Sequence, residues 1–164
     1  MGFCGQGRGM IVSVETVLNA HADEVWREVQ KSRLLEYVAS PLQIFRPLDP
    51  PSFPELWIPG RYRAQLLSFG LVPTGWQDIV ISFPEPSHPD EHLLRDDGSG
   101  AIVKKWDHLI TVRKRTDGRT DYSDRIAVEA GVLTPGVMAF ANIFYRHRQH
   151  RWHRLIGNNF NYAQ

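Results

Sequence analysis

Between Arg61 and Ala130 the chain runs through a succession of strand-like segments with no helix-length pattern between them. Parallel neighbours need a long crossover, usually a helix, so strands met in this way must pair antiparallel as a meander. The apolar and β-branched runs cover residues 62–69, 76–83, 91–95, 102–115 and 120–130. Turn-forming residues divide them at Gly70, Pro73-Thr74-Gly75, Pro84 to Pro89, Asp97-Gly98-Ser99-Gly100 and Asp117-Gly118.

The flanks complete the pattern. Ile11, Val12, Val14, Thr16 and Val17 predict a strand over residues 10–18. Ala22, Val25, Trp26 and Val29 have helical spacing, and Asp23 and Glu24 suit the positive end of a helix dipole. A second short helix over 33–39 must stop near Ser40, because Pro41 disfavours helical backbone before it. Residues 42–46 predict a strand. Pro47, Pro50, Pro51, Pro54 and Pro59 then exclude a regular central element and predict an extended loop bearing Phe53, Leu56 and Trp57. Such a loop either seals the core edge or forms a lid over a pocket mouth, with Phe53 and Trp57 as its lid residues. The last element, over 134–156, places Val137, Phe140, Ala141, Phe144, Tyr145, Trp152 and Leu155 on one helical stripe. Arg146, His147, His150, His153 and Arg154 fall on the other side. A helix of this kind lies against a sheet.

Composition narrows the function classes. A chain of 164 residues, 42% hydrophobic, is long enough for one core and a modest cavity. Its formal net charge of +1 gives no global reason to expect nucleic acid, whose affinity rests on phosphate neutralisation. The single cysteine, Cys4, excludes an intramolecular disulfide and a cysteine zinc cluster, and makes a reducing cytoplasm the expected compartment. No apolar run approaches the ~20 residues that span a bilayer. Residues 1–9 read as a flexible Gly-rich leader upstream of an alternative start at Met10, residues 10–157 as one domain, and 158–164 as a tail. Gly5, Gly7 and Gly9 precede a strand instead of linking a strand to a helix, so they make no phosphate loop.

Strand, two short helices, six strands and a long C-terminal helix is the element order of the helix-grip fold. Ala20-His21-Ala22-Asp23-Glu24-Val25-Trp26, Trp106-Asp107-His108, Thr120-Asp121-Tyr122-Ser123-Asp124-Arg125 and Phe144-Tyr145-Arg146-His147-Arg148 also occur at matching places. In this order and spacing the chain resembles the START-like (SRPBCC) superfamily of lipid-transfer domains, plant pathogenesis-related allergens, and polyketide cyclases and aromatases. The resemblance implies an α+β fold in which a curved seven-stranded antiparallel sheet wraps the C-terminal helix. It also implies a cavity between sheet and helix for hydrophobic small molecules. It carries no catalytic set.

Strand parity picks out inward polar groups. His108 shares a face with Trp106, Ile110 and Val112; Asp124 shares one with Tyr122, Ile126 and Val128. A two-residue hairpin at Asp117-Gly118 would turn one set outward. A three-residue loop, Thr116-Asp117-Gly118 with Gly118 left-handed, keeps both inward and sets Asp124 opposite Ile110 and diagonal to His108. Arg148 lies on the apolar stripe of the last helix. Its buried charge needs an acid, for which Asp124 is the best-placed residue. A His108–Asp124–Arg148 cluster then either locks helix to sheet or serves a ligand or proton transfer.

Other motifs lead nowhere. His147, His150 and His153 fan round a helix by about 60° per step of three and cannot converge on one metal ion, so no metal or cofactor is expected. There is no Gly-x-Ser-x-Gly elbow, and Cys4 in a leader is a poor nucleophile.

Three functions stay open. The first is binding of a hydrophobic or aromatic small molecule by Trp106, His108, Ile110, Tyr122, Asp124, Phe140, Phe144 and Arg148. The second is an enzyme of the cyclase, aromatase or dehydratase kind, with His108, Tyr122 or Asp124 handling protons. The third is a non-catalytic structural or interaction domain whose cavity is filled by its own side chains.

Overall fold

The computed structural model describes residues 10–163; the expected leader and Cys4 lie outside them. The elements run β1 (Met10–Leu18), α1 (Ala22–Val29), α2 (Ser32–Ala39), β2 (Gln43–Asp49), β3 (Gly60–Ser68), β4 (Val72–Ser82), β5 (Glu91–Gly100), β6 (Lys105–Lys114), β7 (Thr120–Glu129) and α3 (Thr134–Gly157), with a short 3₁₀ turn over Gly131–Leu133 before α3. The seven strands form one antiparallel sheet in the order β1-β7-β6-β5-β4-β3-β2. The meander thus runs from β2 to β7, and β1 closes onto its far end through pairs from Met10↔Val128 to Leu18↔Thr120.

Local chemistry sets the ends of the helices. The His21 N–H donates to the Glu24 carboxylate at 3.2 Å, satisfying a donor at the start of α1. Ser40 is extended (φ −69°, ψ 144°) ahead of Pro41, so α2 stops at Ala39. The β6–β7 hairpin has the three-residue loop the register required: Lys114 pairs with Thr120, and Gly118 has φ 81°.

Two expected turns are strand instead. Residues 97–100 continue β5, because Gly98 and Gly100 let it approach β4 closely: a Cβ on Gly98 would sit 2.2 Å from the Asp78 carbonyl oxygen, and one on Gly100 2.7 Å from that of Trp76. Here the glycines serve strand packing, and the reversal falls after Gly100. Pro73-Thr74-Gly75 lies within β4, where Leu66 pairs with Gly75 and Leu67 with Pro73; Thr74 is the extra residue of a bulge. The β3–β4 reversal is at Phe69-Gly70-Leu71. β2 outruns its expected end through Pro47, which an edge strand tolerates.

The helices cover one face of the sheet, with α3 against β1, β7 and α2. Two apolar clusters form there. One gathers α1, α2, the middle of the sheet and the C-terminal half of α3, including Val25, Val38, Tyr122 and Trp152. The other gathers β1, the far end of β7 and the N-terminal half of α3, including Val12, Val128, Phe144 and Tyr145. Beyond α3, Asn159 and Phe160 adopt left-handed backbone, and Tyr162 returns against Tyr37 with its hydroxyl donating to the Glu28 carboxylate.

Candidate functional site

The polar residues singled out by parity lie on the seam between these clusters. Along β7, Asp124 separates Tyr122 of one cluster from Ile126 of the other; along α3, Arg148 and Gln149 separate Tyr145 from Trp152. Ile110 pairs with Asp124, and the diagonal neighbour His108 reaches it, Nε2 to Oδ1, at 2.8 Å.

The rest of the Asp124 shell differs from expectation. Tyr122 donates its hydroxyl to Oδ1 at 3.3 Å, and Gln149 donates Nε2 to Oδ2 at 3.1 Å and to the Val14 carbonyl at 2.7 Å. Gln149, not Arg148, therefore joins α3 to the carboxylate. One residue is about 100° on a helix, so the side chain aimed at β7 and β1 belongs to 149, while Arg148 turns toward β5 and β6. Among the described residues Arg148 makes no ion pair; it is 5% exposed, its Nε has no hydrogen-bond partner, and its guanidinium lies 4.9 Å from the Tyr145 ring centroid.

Burial alone would raise the Asp124 pKa, but the His108 hydrogen bond, the nearby Arg148 charge and Gln149 outweigh it, and the carboxyl is held below its ordinary value. Burial lowers the His108 pKa, only partly offset by Asp124, so the ring is neutral at pH 7. A neutral ring donating Nε2–H to Asp124 leaves Nδ1 as its acceptor.

His108 and Arg148 also line a pocket of about 330 Å³ between the sheet and the helices. Leu34, Phe45, Ile79, Ile81, Leu94 and Ile110 supply apolar walls, with Trp57, Trp106, Phe140 and Phe144 as aromatic ones. Phe140, 42% exposed, stacks on Phe144 at 5.5 Å between centroids.

Two expected lining residues, Tyr122 and Asp124, and one expected lid residue, Phe53, are elsewhere. Tyr122 and Asp124 are fully buried behind His108, where Tyr122 packs on Trp152 with centroids 5.5 Å apart. They support the wall without forming it. Phe53 packs on Trp57 and Tyr62 and does not line the pocket. Trp57 does line it, as a wall residue only 7% exposed, held by its N–H to the Gln30 carbonyl at 2.7 Å. The Pro-rich loop is thereby fastened to the α1–α2 connection.

Sequence reasoning missed Asp96. It lines the pocket directly opposite His108 across β5–β6, is 8% exposed, and accepts the Val80 N–H at 2.7 Å. Burial pushes its carboxyl up to about 7, with the Val80 hydrogen bond and the Arg148 charge pulling the other way. The turn-like composition of residues 97–100 hides it. The signal available was parity: Leu94, Asp96, Gly98 and Gly100 share one face, with glycines where the backbones approach. The three α3 histidines disperse: His147 bonds the Ser40 carbonyl and His153 the Thr16 hydroxyl, each at 2.9 Å, and His150 is exposed.

A family model described as "Domain of unknown function (DUF8410)" matches residues 16–156. No curated protein matches the chain. Among solved structures, a START superfamily protein from Mycobacterium smegmatis is 12% identical with a TM-score of 0.65, over 92% of this chain and 99% of that one. A conserved protein from Geobacillus kaustophilus is 16% identical with a TM-score of 0.62, over 91% and 96%. DynU16, described as belonging to the dynemicin biosynthetic locus, is 17% identical with a TM-score of 0.57, over 91% of this chain and 48% of its own. The fold is START-like.

Proposed function

As a member of the DUF8410 family the chain inherits no assigned activity, and we propose from its own geometry that it binds a hydrophobic, ring-bearing small molecule between sheet and helix. The observation that carries this reading is the pocket of about 330 Å³, apolar on most sides, with Asp96, His108 and Arg148 on its wall. Small-molecule sites are concave, mostly apolar and of roughly 300–1,000 Å³, with few polar groups to fix orientation. An interior filled by its own side chains fits poorly with that volume. The START-like fold supports a cavity-based role without naming a ligand.

Native mass spectrometry and tryptophan fluorescence test this directly, since Trp57, Trp76 and Trp106 all line the pocket. The expected result is a one-to-one complex with a naphthalene-sized probe and quenched tryptophan emission. Leu94→Trp, which fills the space opposite Ile110, should abolish both while the protein stays folded. Equal binding by the wild type and the filled variant would refute the reading.

A second reading is an enzyme of the cyclase, aromatase or dehydratase kind. One observation favours it: Asp96, pushed to about 7, and neutral His108 face each other across one strand pair in the same pocket. A carboxyl titrating near 7 beside a neutral imidazole can exchange protons with a substrate near pH 7. His108→Ala that keeps probe binding but stops dehydration of a β-hydroxy ketone would select this reading over simple binding.

A further inference from the structure

Arg148 is a buried cation that meets the Tyr145 ring and feels the carboxylates of Asp124 and Asp96, but makes no direct ion pair among the described residues. The obvious acid, Asp124, has its oxygens occupied by His108, Tyr122 and Gln149. The other acid on the wall, Asp96, directs one oxygen to the Val80 N–H, and no ion pair joins it to Arg148 among the described residues. Arg148 is 5% exposed, lines the pocket, and has Nε without an acceptor. Leaving a buried charge-bearing donor unmatched is costly, and guanidinium donors match carboxylates in a bidentate fork. A second donor repeats the pattern: Gln43 on β2, 6% exposed and also lining the pocket, has Nε2 without a partner. Both donors call for oxygen acceptors, and both lie on walls otherwise built for apolar surface.

We propose that the ligand is an acid: a compact ring-bearing body with an anionic oxygen head, of the carboxylate class, set against Arg148. This rests on the pocket reading above and adds the chemical class of what fills it. The apolar walls take the body, and the guanidinium takes the head. Five titratable groups act on the Arg148 charge: Asp96 from β5, His108 from β6, Tyr122 and Asp124 from β7 behind His108, and Tyr145 beside Arg148 on α3. Lys31, at the α1–α2 connection, also lines the pocket, but its ammonium is paired with Glu28 at 2.6 Å. Below pH 7 Asp96 is mostly protonated and can donate to the ligand's oxygen instead of repelling it.

The test uses two probes of equal ring size, 2-naphthoate and the neutral ketone 2-acetonaphthone, titrated near pH 6 by tryptophan fluorescence. A charge-assisted contact to Arg148 should make the wild type bind the acid about tenfold more tightly than the ketone. Arg148→Met keeps apolar bulk and removes the charge, so it should lose the acid preference and retain the ketone. Equal affinities in the wild type, or an acid preference that survives in the variant, would overturn the proposal and leave the pocket reading intact. Failure of both probes to bind the wild type would sink both. Should Arg148→Met not fold, Arg148→Gln takes its place, and the wild-type ratio still decides.

Discussion

Asp96→Asn isolates a carboxyl whose ionisation burial suppresses near neutral pH. The side chain is 8% exposed, and burial pushes its pKa from 3.8 to about 7. In the unfolded chain it ionises near its ordinary value. Between the two values the unfolded state has released a proton that the native state keeps, so stability falls as pH rises and levels off above about 7. The slope is about 1.4 kcal/mol per pH unit, which gives at most roughly 2.7 kcal/mol between about pH 5 and pH 8. Buried sites behave with an effective dielectric well above that of dry protein, so about 1–3 kcal/mol is the working range. His108 acts with the opposite sign: its pKa is lowered in the fold, so stability is lost as pH falls below its ordinary value of 6.5. The wild-type curve therefore mixes two slopes, and the difference between variant and wild type is the clean quantity. The introduced amide would still accept the Val80 N–H through its oxygen but would have no proton to lose. Urea unfolding from pH 5 to pH 8 should show the variant gaining on the wild type by about 1–3 kcal/mol over that range. A difference that does not change with pH, or one that turns against the variant at high pH, would refute the assignment of a suppressed carboxyl at this position.

Two further substitutions test the frame around the pocket. Asp124→Ala removes the acceptor that His108, Tyr122 and Gln149 share, leaving Gln149 only its bond to the Val14 carbonyl, and should cost about 3 kcal/mol or more in urea unfolding, whereas a loss below about 1 kcal/mol would show that the seam is not held through this carboxylate. Gly98→Ala places a methyl 2.2 Å from the Asp78 carbonyl oxygen, so β4 and β5 must separate; a loss of about 3 kcal/mol is expected by the same assay, and a change within about 0.5 kcal/mol would contradict the close approach.

The meander, the two early helices and α3 were legible because each is written in one repeating period: two for the strands, near 3.6 for the helices. The His108–Asp124 contact was legible because both residues sit in strands of clean parity joined by a loop whose length fixes register. Gln149 was not, since helical stripes are broad and adjacent residues at a stripe's edge can exchange roles. Asp96 was not, because Asp97-Gly98-Ser99-Gly100 has the composition of a turn, and only the fold shows that its glycines are there for backbone contact. Short-range composition and long-range packing gave opposite instructions at that point, and packing won.

The polar seam therefore differs on its two sides. On the β7 side Asp124 is saturated by three donors with no solvent access, the arrangement of a lock tying α3 to the sheet. On the β5 side Asp96 and Arg148 are buried with their polar capacity only partly used. His108 belongs to both, bonded to Asp124 on one side and forming pocket wall on the other. A ligand whose oxygen reaches Arg148 would complete the unsatisfied half. The satisfied half would hold its geometry whether or not the pocket is filled, so losing the ligand head contact should change affinity without loosening α3.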